Sequence, residues 1–176
     1  MPSTSIIRRD RTMDIPKIAR RGLWTCGCVF VLLGVMVFCR HMYVGSLVST
    51  IEQNGGAISD DEIVYFWGPS FVTFNIPGNR IVPSDANAKQ MCHAMSGLYR
   101  LDRVDFTGAP LGDQFFVELS QQCQIRMVQI GHTRCGDRGV RALAYNGATK
   151  ELYLEGLLLS DETLSLLDRQ GIRYVR

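Results

Sequence analysis

Three similar segments recur in the second half of the chain: LDRVDF at positions 101–106, IRMVQI at 125–130 and TKELYL at 149–154. In each stretch the fourth and sixth residues are apolar, and the stretches begin 24 residues apart. Asp113, Asp137 and Asp161 keep the same spacing, and Ile172-x-x-Val175 begins a fourth, partial unit. A fixed period of this length predicts a stack of repeated units. The alternative is an ordinary α/β domain with accidental spacing.

Each unit is predicted to form a strand, a turn and a helix. Val104 and Phe106 alternate, which buries one face of a short strand, because successive side chains point to opposite faces. Turn residues follow, at Gly108, Gly131 and Gly156. Residues that can accept hydrogen bonds from the first amides of a helix come next: Asp113, Asp137, Ser160 and Asp161. One unit cannot bury its own apolar stripe, so the units must stack.

The helix starts share a signature, which reads LGD at 111–113, CGDRGV at 135–140 and LSDETL at 159–164. With these motifs, residues 101–176 resemble a leucine-rich-repeat array, and most closely the short bacterial membrane proteins that carry a few such repeats behind one N-terminal anchor. The resemblance implies an α/β solenoid with parallel strands on one face and helices on the other. It implies protein–protein binding, the one activity the family shares. The family often has Asn or Cys where this sequence has Ala109, Thr133 and Leu157, so the side-chain ladder of longer arrays is expected to be absent.

Composition divides the 176 residues into five segments: a basic cytoplasmic tail at 1–21, a transmembrane helix at 22–43, a juxtamembrane helix at 44–54, an α+β N-terminal cap at 55–100 and the repeats at 101–176. The residues before Tyr43 carry a net charge of +5 and the remainder carries −3. Nucleic-acid binding needs a cationic surface, so the mildly acidic body argues against a nucleic-acid partner.

The apolar run at 22–39 contains no charged residue and reaches the length at which a helix can span a bilayer. Trp24 and Tyr43 bracket it as interfacial aromatic residues, about 28 Å apart along a helix. Arg40 can extend its charge outward at the far end. The basic tail then places the N-terminus in the cytoplasm and the repeats on the other side. Two alternatives remain open: a signal peptide cleaved near 44–46 and a buried core helix.

A helix and then a cap are predicted between the apolar run and the repeats. Leu47, Val48 and Ile51 share one face of a helix over 46–53, which the Asn-Gly-Gly sequence at 54–56 ends. Residues 60–62 indicate a solvated loop. The segments 63–67 and 71–75 are rich in β-branched and aromatic residues, which predicts a hairpin or two short strands.

The last part of the cap is predicted to be a helix that begins at Ser84 or Asp85 and runs to about Met95. Met95 lies 24 residues before Leu119, so this helix would belong to a degenerate leading unit. An atypical end unit is needed to cover the exposed apolar edge of a repeat stack.

The cysteines give weak indications of chemistry. Cys135 takes a core position and is expected to be buried and inert. A disulfide between Cys92 and Cys123 would be allowed in an oxidising compartment. The repeat register places these two residues at different positions of their units, which argues against the bridge but leaves it open.

One constellation resembles a nucleophile or zinc site: His132, Cys135 and Asp137. The repeat register points Cys135 into the core and places Asp137 at the start of a helix. A zinc site also needs more ligands than these three residues. No catalytic residue, metal site or cofactor is therefore predicted. A thiol-dependent enzyme stays as a third hypothesis.

The predicted binding surface is the concave strand face, which is turned away from the core. Its proposed contact residues for a protein partner are Asp105, Met127, Gln129, Tyr153 and Tyr174. Tyrosine and arginine are enriched in interface hot spots, although any solvated strand face carries such residues. The first hypothesis is a non-catalytic protein-binding module outside the cytoplasm. The second is a structural envelope protein that self-associates as a homo-oligomer.

Overall fold

The computed structural model describes residues 17–58, 69–74, 81, 83–99 and 101–176, with side chains from Cys28 onward. Within these ranges the chain is an α/β protein with a six-stranded, mostly parallel sheet. The strands lie in chain order: β1 Ala57–Ile58, β2 Phe71–Thr73, β3 Arg103–Asp105, β4 Met127–Gln129, β5 Glu151–Tyr153 and β6 Arg173–Val175. β1 and β2 are antiparallel, and the later neighbours are parallel. The α-helices are α1 Lys17–Gln53, α2 Ala88–Ser96, α3 Asp113–Gln122, α4 Asp137–Tyr145 and α5 Asp161–Arg169.

The three repeated stretches pair in the register that their period predicts. Val104 lies opposite Val128, and Val128 lies opposite Leu152. All three side chains are fully buried between the sheet and the helices. A helix follows each strand and begins at Asp113, Asp137 or Asp161. The strand–turn–helix prediction is therefore confirmed for all three units.

The predicted register of the fourth unit is wrong by one residue. It places Val175 opposite Leu152, but β6 pairs Tyr174 with Leu152 instead. The cause is a short connection, because only Ile172 separates the turn at Gly171 from β6. A one-residue slip exchanges the two faces of a strand. Tyr174 therefore packs against the core, and Val175 is 55% exposed on the other face.

An aromatic cluster fills the core behind the first strands of the sheet. The ring of Phe106 stacks on Phe74 with centroids 4.9 Å apart, and it meets the edges of Phe115 and Phe116 at 5.0 and 5.7 Å. Phe106, Phe115 and Phe116 are fully buried. Such offset and edge-to-face pairs add to the free energy that area burial alone provides. The cluster joins the leading unit to the first repeat, since Phe74 directly follows β2.

The chain forms two compact units, Met1–Cys39 and Arg40–Arg176. In the described part of the first unit, α1 exposes large apolar side chains; Phe30, Leu32 and Phe38 are 74%, 68% and 63% exposed. The stretch Cys28–Gln53 has a mean hydropathy of 1.8. By length and composition it is, among the described residues, the one helix that can span a membrane. The helix continues without a break through the boundary predicted at 43/44.

The last turns of α1 are part of the second unit. Val44, Leu47 and Ile51 are buried, which confirms the predicted apolar face at Leu47 and Ile51. The packing is close, because a side chain on Gly97, just after α2, would lie 2.6 Å from a methyl carbon of Leu47. The last turns of α1 therefore share one core with the leading unit.

The Asn-Gly-Gly sequence ends α1 as predicted. Gly55 takes a φ of +87°, and the Gly56 amide donates to the Ile51 carbonyl at 3.0 Å, which closes the last turn. The Asn54 side chain is 8% exposed and accepts a hydrogen bond from the Asn87 amide at 2.9 Å. This bond joins the end of α1 to the short 3-10 turn Asp85–Asn87 that precedes α2.

The leading unit is also present. β2 pairs in parallel with β3, and the predicted helix is found as the 3-10 turn followed by α2. The predicted strand at 71–75 is confirmed over Phe71–Thr73, and its other neighbour is Ala57–Ile58. The strand predicted at 63–67 and the loop at 60–62 lie outside the described residues, as does most of the basic tail.

The aspartates at the helix starts have a different role from the one predicted. Helices α3 and α4 are capped by Gly112 and Gly136, which offer no side chain, and only Ser160 caps its own helix, by accepting from the Thr163 amide. Asp85, Asp113 and Asp137 instead accept from the first amides of the next unit. The distances are 3.0 Å for Asp85 to Gly112, 2.7 Å for Asp113 to Gly136 and 2.9 Å for Asp137 to Ser160.

We call Asp85, Asp113 and Asp137 the aspartate ladder. As first residues of their helices, they direct their carboxylates across the interface to the neighbouring unit. Hydrogen bonds that involve a charged acceptor are shorter and stronger than neutral ones. The aspartate ladder stands at other positions than Ala109, Thr133 and Leu157, where the family's ladder is expected to be absent, and the sequence analysis did not predict it.

Candidate binding surface

The sheet presents one face to the helices and the other to solvent. In each three-residue strand the central side chain points inward, so the first and third side chains form what we call the outer sheet face. From β2 to β6 this face consists of two rows, in which the residues are direct neighbours across the parallel pairs. The first row is Phe71, Arg103, Met127, Glu151 and Arg173; the second row is Thr73, Asp105, Gln129, Tyr153 and Val175.

Three of the predicted contact residues lie side by side in the second row. Asp105 pairs with Gln129, and Gln129 pairs with Tyr153. All three side chains are half-buried, which leaves their outer atoms accessible. Their alignment follows from the 24-residue period, because residues at equal positions of successive units meet across the sheet.

The other two predicted contact residues are placed differently. Met127 lies on the outer sheet face but is only 8% exposed, because Arg103 and Glu151 flank it in the first row. It therefore offers little surface to a partner. Tyr174 points inward and packs against the core, and Val175 takes the outer position beside Tyr153.

Ion pairs join neighbouring units in and beside the first row. Glu151 and Arg173 pair within the row, and just before β3 and β4 the Asp102 carboxylate binds the Arg126 guanidinium at 3.0 Å. The hydrogen bonds that Arg126 donates to the Asp102 carboxylate, together with the negative charge of Asp102, raise the pKa of Arg126 above its ordinary value. At the other end the Arg103 guanidinium lies 5.6 Å from the centre of the Phe71 ring, within the range of a cation–π interaction.

The repeat pattern of the sequence did not place Phe71, Thr73 or Val175 on the outer sheet face. The first two lie outside the 24-residue period, since a longer connection separates β2 from the repeats. The strand pattern at 71–75 was visible, but only the parallel pairing of β2 with β3 adds it to the surface. Val175 was missed because of the slip in β6.

The side chains of His132, Cys135 and Asp137 are engaged with other residues and not with one another. His132 takes a positive φ of 54° and lies 3.9 Å from the Glu155 carboxylate. Cys135 is buried, and burial, with Asp113 nearby, raises the pKa of its thiol far above the ordinary value. Asp137 accepts hydrogen bonds from Thr163 and Ser160, which lower its pKa. Each side chain therefore has partners of its own.

The described residues contain no group of three or more His, Cys, Asp or Glu side chains that could hold a metal ion. The cysteines with described side chains are free thiols: Cys28, Cys39, Cys92, Cys123 and Cys135. The repeat register predicts that Cys92 and Cys123 occupy unrelated positions, yet the Cys123 thiol reaches to 3.3 Å from the backbone oxygen of Cys92.

The predicted membrane-interface residues lie on α1. The Arg40 guanidinium lies 5.6 Å from the centre of the Tyr43 ring, and Tyr43 is 46% exposed. Trp24 is part of the same helix, but its side chain lies outside the described residues. A cationic group next to a tyrosine ring is a typical pair at the level of lipid headgroups.

The sequence matches no family model and no curated protein.

Proposed function

We propose that this chain is a membrane-anchored leucine-rich-repeat protein that acts as a non-catalytic protein-binding module outside the cytoplasm. The observation that supports this proposal best is the alignment of Asp105, Gln129 and Tyr153 on adjacent strands of a parallel sheet. The stacked 24-residue units agree with a short solenoid, and the apolar helix agrees with an anchor.

The outer sheet face suits an extended protein segment. Five parallel-paired strands spaced about 4.8 Å apart give a surface about 19 Å wide, which is the length of roughly six extended residues. Tyr153 offers an aromatic ring and Gln129 an amide that can donate and accept. Arg103 and Arg173 are exposed in the first row, one beside Phe71 and the other on the last strand. Tyrosine and arginine are the residue types that most often dominate binding energy at interfaces.

Partner capture should depend on the second row of this face. We expect the double variant Gln129→Lys and Tyr153→Glu to lose its partner in a pull-down from detergent-solubilised cells, because both changes place charges where a partner would be desolvated. The matched control is Tyr145→Glu, which changes a tyrosine that is 68% exposed on helix α4. Met127 is left unchanged, since a charge at a position only 8% exposed would also disturb the fold.

The prey should be captured by the wild-type chain and by the Tyr145 variant alike. Thermal unfolding should be the same for all three proteins, because the substituted side chains lie outside the core. Unchanged capture by the double variant would contradict the proposed surface.

We further propose that the N-terminus lies in the cytoplasm and residues 44–176 outside it, supported by the basic residues before the apolar helix. With different epitope tags at the two ends, protease added outside intact cells or spheroplasts should remove the C-terminal tag and leave the N-terminal tag on a short membrane-bound fragment. If the C-terminal tag is digested only after detergent treatment, the chain has the opposite orientation. Loss of the N-terminal tag from the mature protein without protease would show cleavage as a signal peptide.

Self-association is the second candidate function, and the last unit favours it. Leu158 is 97% exposed and Val175 is 55% exposed, while β6 forms an edge of the sheet within the described residues. An unpaired strand edge can pair with another strand. If the pull-down recovers only the chain itself, with wild-type and double variant alike, and light scattering shows a dimer, this function replaces the first.

A further inference from the structure

Two cysteines meet at the interface between the leading unit and the first repeat. Cys92 lies within α2 and is fully buried, whereas Cys123 directly follows α3 and is 5% exposed. The Cys123 thiol lies 3.3 Å from the backbone oxygen of Cys92. The two residues are 31 positions apart in sequence, so only the packing of α2 on α3 brings them together.

We propose that Cys92 and Cys123 are a dithiol pair that oxidises to a disulfide, which ties the leading unit to the first repeat. This site goes beyond the binding function, since it lies behind the sheet and not on its outer face. A cross-link at this interface would hold α2, and with it the end of the stack, on the repeats. Disulfides persist in oxidising compartments, such as the space proposed here for this domain.

The reaction is a thiol–disulfide exchange with a small or protein disulfide as the oxidant. The Cys123 thiolate attacks one sulfur of the donor disulfide, which forms a mixed disulfide and expels the first donor thiolate. The Cys92 thiolate then attacks the Cys123 sulfur and expels the second donor sulfur. The protein loses two electrons and two protons, and the donor disulfide is reduced to two thiols.

The surroundings indicate which thiol reacts first. Cys123 forms part of the wall of an open groove of about 500 Å³, next to Tyr99 and Gln124, so it lies nearer to solvent than Cys92. Cys92 does not line this groove and is 0% exposed. Cys123 is therefore the entry thiol, and Cys92 resolves the mixed disulfide.

Burial also determines when the reaction can occur. It raises the pKa of Cys123 to about 12 and that of Cys92 still further, with Cys123 and Glu118 adding to the shift at Cys92. The thiolate is the attacking form, so the packed interface reacts slowly at neutral pH. Exchange is expected while the α2–α3 interface is still open during folding.

Cys135, which lies in the second repeat, provides an internal control. Cys135 lies at the next interface, where its sulfur would be 2.6 Å from a side chain added to Gly139. It is buried between α3 and α4 and is expected to stay reduced. Trypsin separates the three residues, because it leaves Cys92 in 90–100, Cys123 in 104–126 and Cys135 in 135–138.

The test refolds the detergent-solubilised full chain from urea in a mixture of oxidised and reduced glutathione. Remaining thiols are then alkylated, and the tryptic peptides are analysed by mass spectrometry without reduction. We expect peptides 90–100 and 104–126 to be joined, 2 Da lighter than their sum, and 135–138 to be alkylated. The Cys123→Ala variant should leave peptide 90–100 alkylated.

Stability distinguishes a native cross-link from one formed in a misfolded chain. The oxidised protein should unfold at a temperature several degrees above that of the same protein after reduction, because the cross-link constrains the unfolded chain. The proposal is overturned if 90–100 and 104–126 are both recovered alkylated, if either is joined to 135–138, or if oxidation lowers the unfolding temperature.

Discussion

Replacement of Phe106 by alanine is expected to lower the free energy of unfolding by about 3–5 kcal/mol, the range found for deleting a buried aromatic ring. Phe106 is fully buried and contacts three other rings, those of Phe74, Phe115 and Phe116. These rings come from the leading unit and from α3, so the cavity would lie where two units and the sheet meet. Such a site cannot collapse without moving a strand or a helix.

The measurement is chemical or thermal unfolding of the full chain in detergent, followed by circular dichroism. The matched control is Tyr145→Ala, which also removes an aromatic ring but from a side chain that is 68% exposed. Exposed substitutions of this kind change stability by about 0.5 kcal/mol or less. Equal losses for the two variants would show that the aromatic cluster does not join the units as described.

Replacement of Asp113 by alanine is expected to lower the free energy of unfolding by roughly 2–4 kcal/mol, since hydrogen bonds to a charged group contribute about 1.5–3 kcal/mol each. One carboxylate oxygen of Asp113 accepts from the amides of Gly136 and Gly139, at 2.7 and 2.9 Å. Both amides belong to the start of α4, where they have no partner within the helix. The variant would leave them without their acceptor at a half-buried interface between units.

The space around Gly139 shows how closely the start of α4 packs against the Asp113 carboxylate. A side chain on Gly139 would lie 2.6 Å from the Cys135 sulfur and 2.9 Å from the same Asp113 oxygen. Glycine is therefore required here by Cys135 of its own unit and by Asp113 of the preceding unit, although alanine favours a helix.

The control for Asp113 is Asp161→Ala, which changes the matching residue of α5. Asp161 is exposed, and no later unit among the described residues brings amides to it. Its replacement should therefore lower the free energy of unfolding less than the replacement of Asp113 does. Asp113→Asn should retain part of the stability, since its amide oxygen can still accept. Thermal unfolding of the three variants would decide the matter. A loss at Asp161 as large as at Asp113 would mean that the aspartates act only within their own helices.

Much of this architecture can be read from the period and the hydropathy of the chain. Val104, Val128 and Leu152 meet because equal spacing brings equal positions together, and the same spacing aligns Asp105, Gln129 and Tyr153. The apolar run predicts α1, and Asn54-Gly55-Gly56 predicts its end. Each of these features depends on local geometry or on a repeated distance along the chain.

The remaining features depend on contacts between segments, which a pattern of residue types does not specify. Because the connection at Ile172 is short, Tyr174 faces the core and Val175 faces outward, the reverse of the prediction. Met127 lies on the outer sheet face as predicted, but its neighbours in the row leave it only 8% exposed. For Phe71, the pairing of β2 with β3 placed it on the same face.

Residue spacing and hydropathy predict which residues repeat, which face of each strand is apolar and which helix can span a membrane. That each aspartate of the ladder binds the following unit, and that the Cys123 thiol reaches Cys92, follows only from the folded chain. Spacing tells which residues share a face, but the direction of a side chain across an interface depends on how the helices pack.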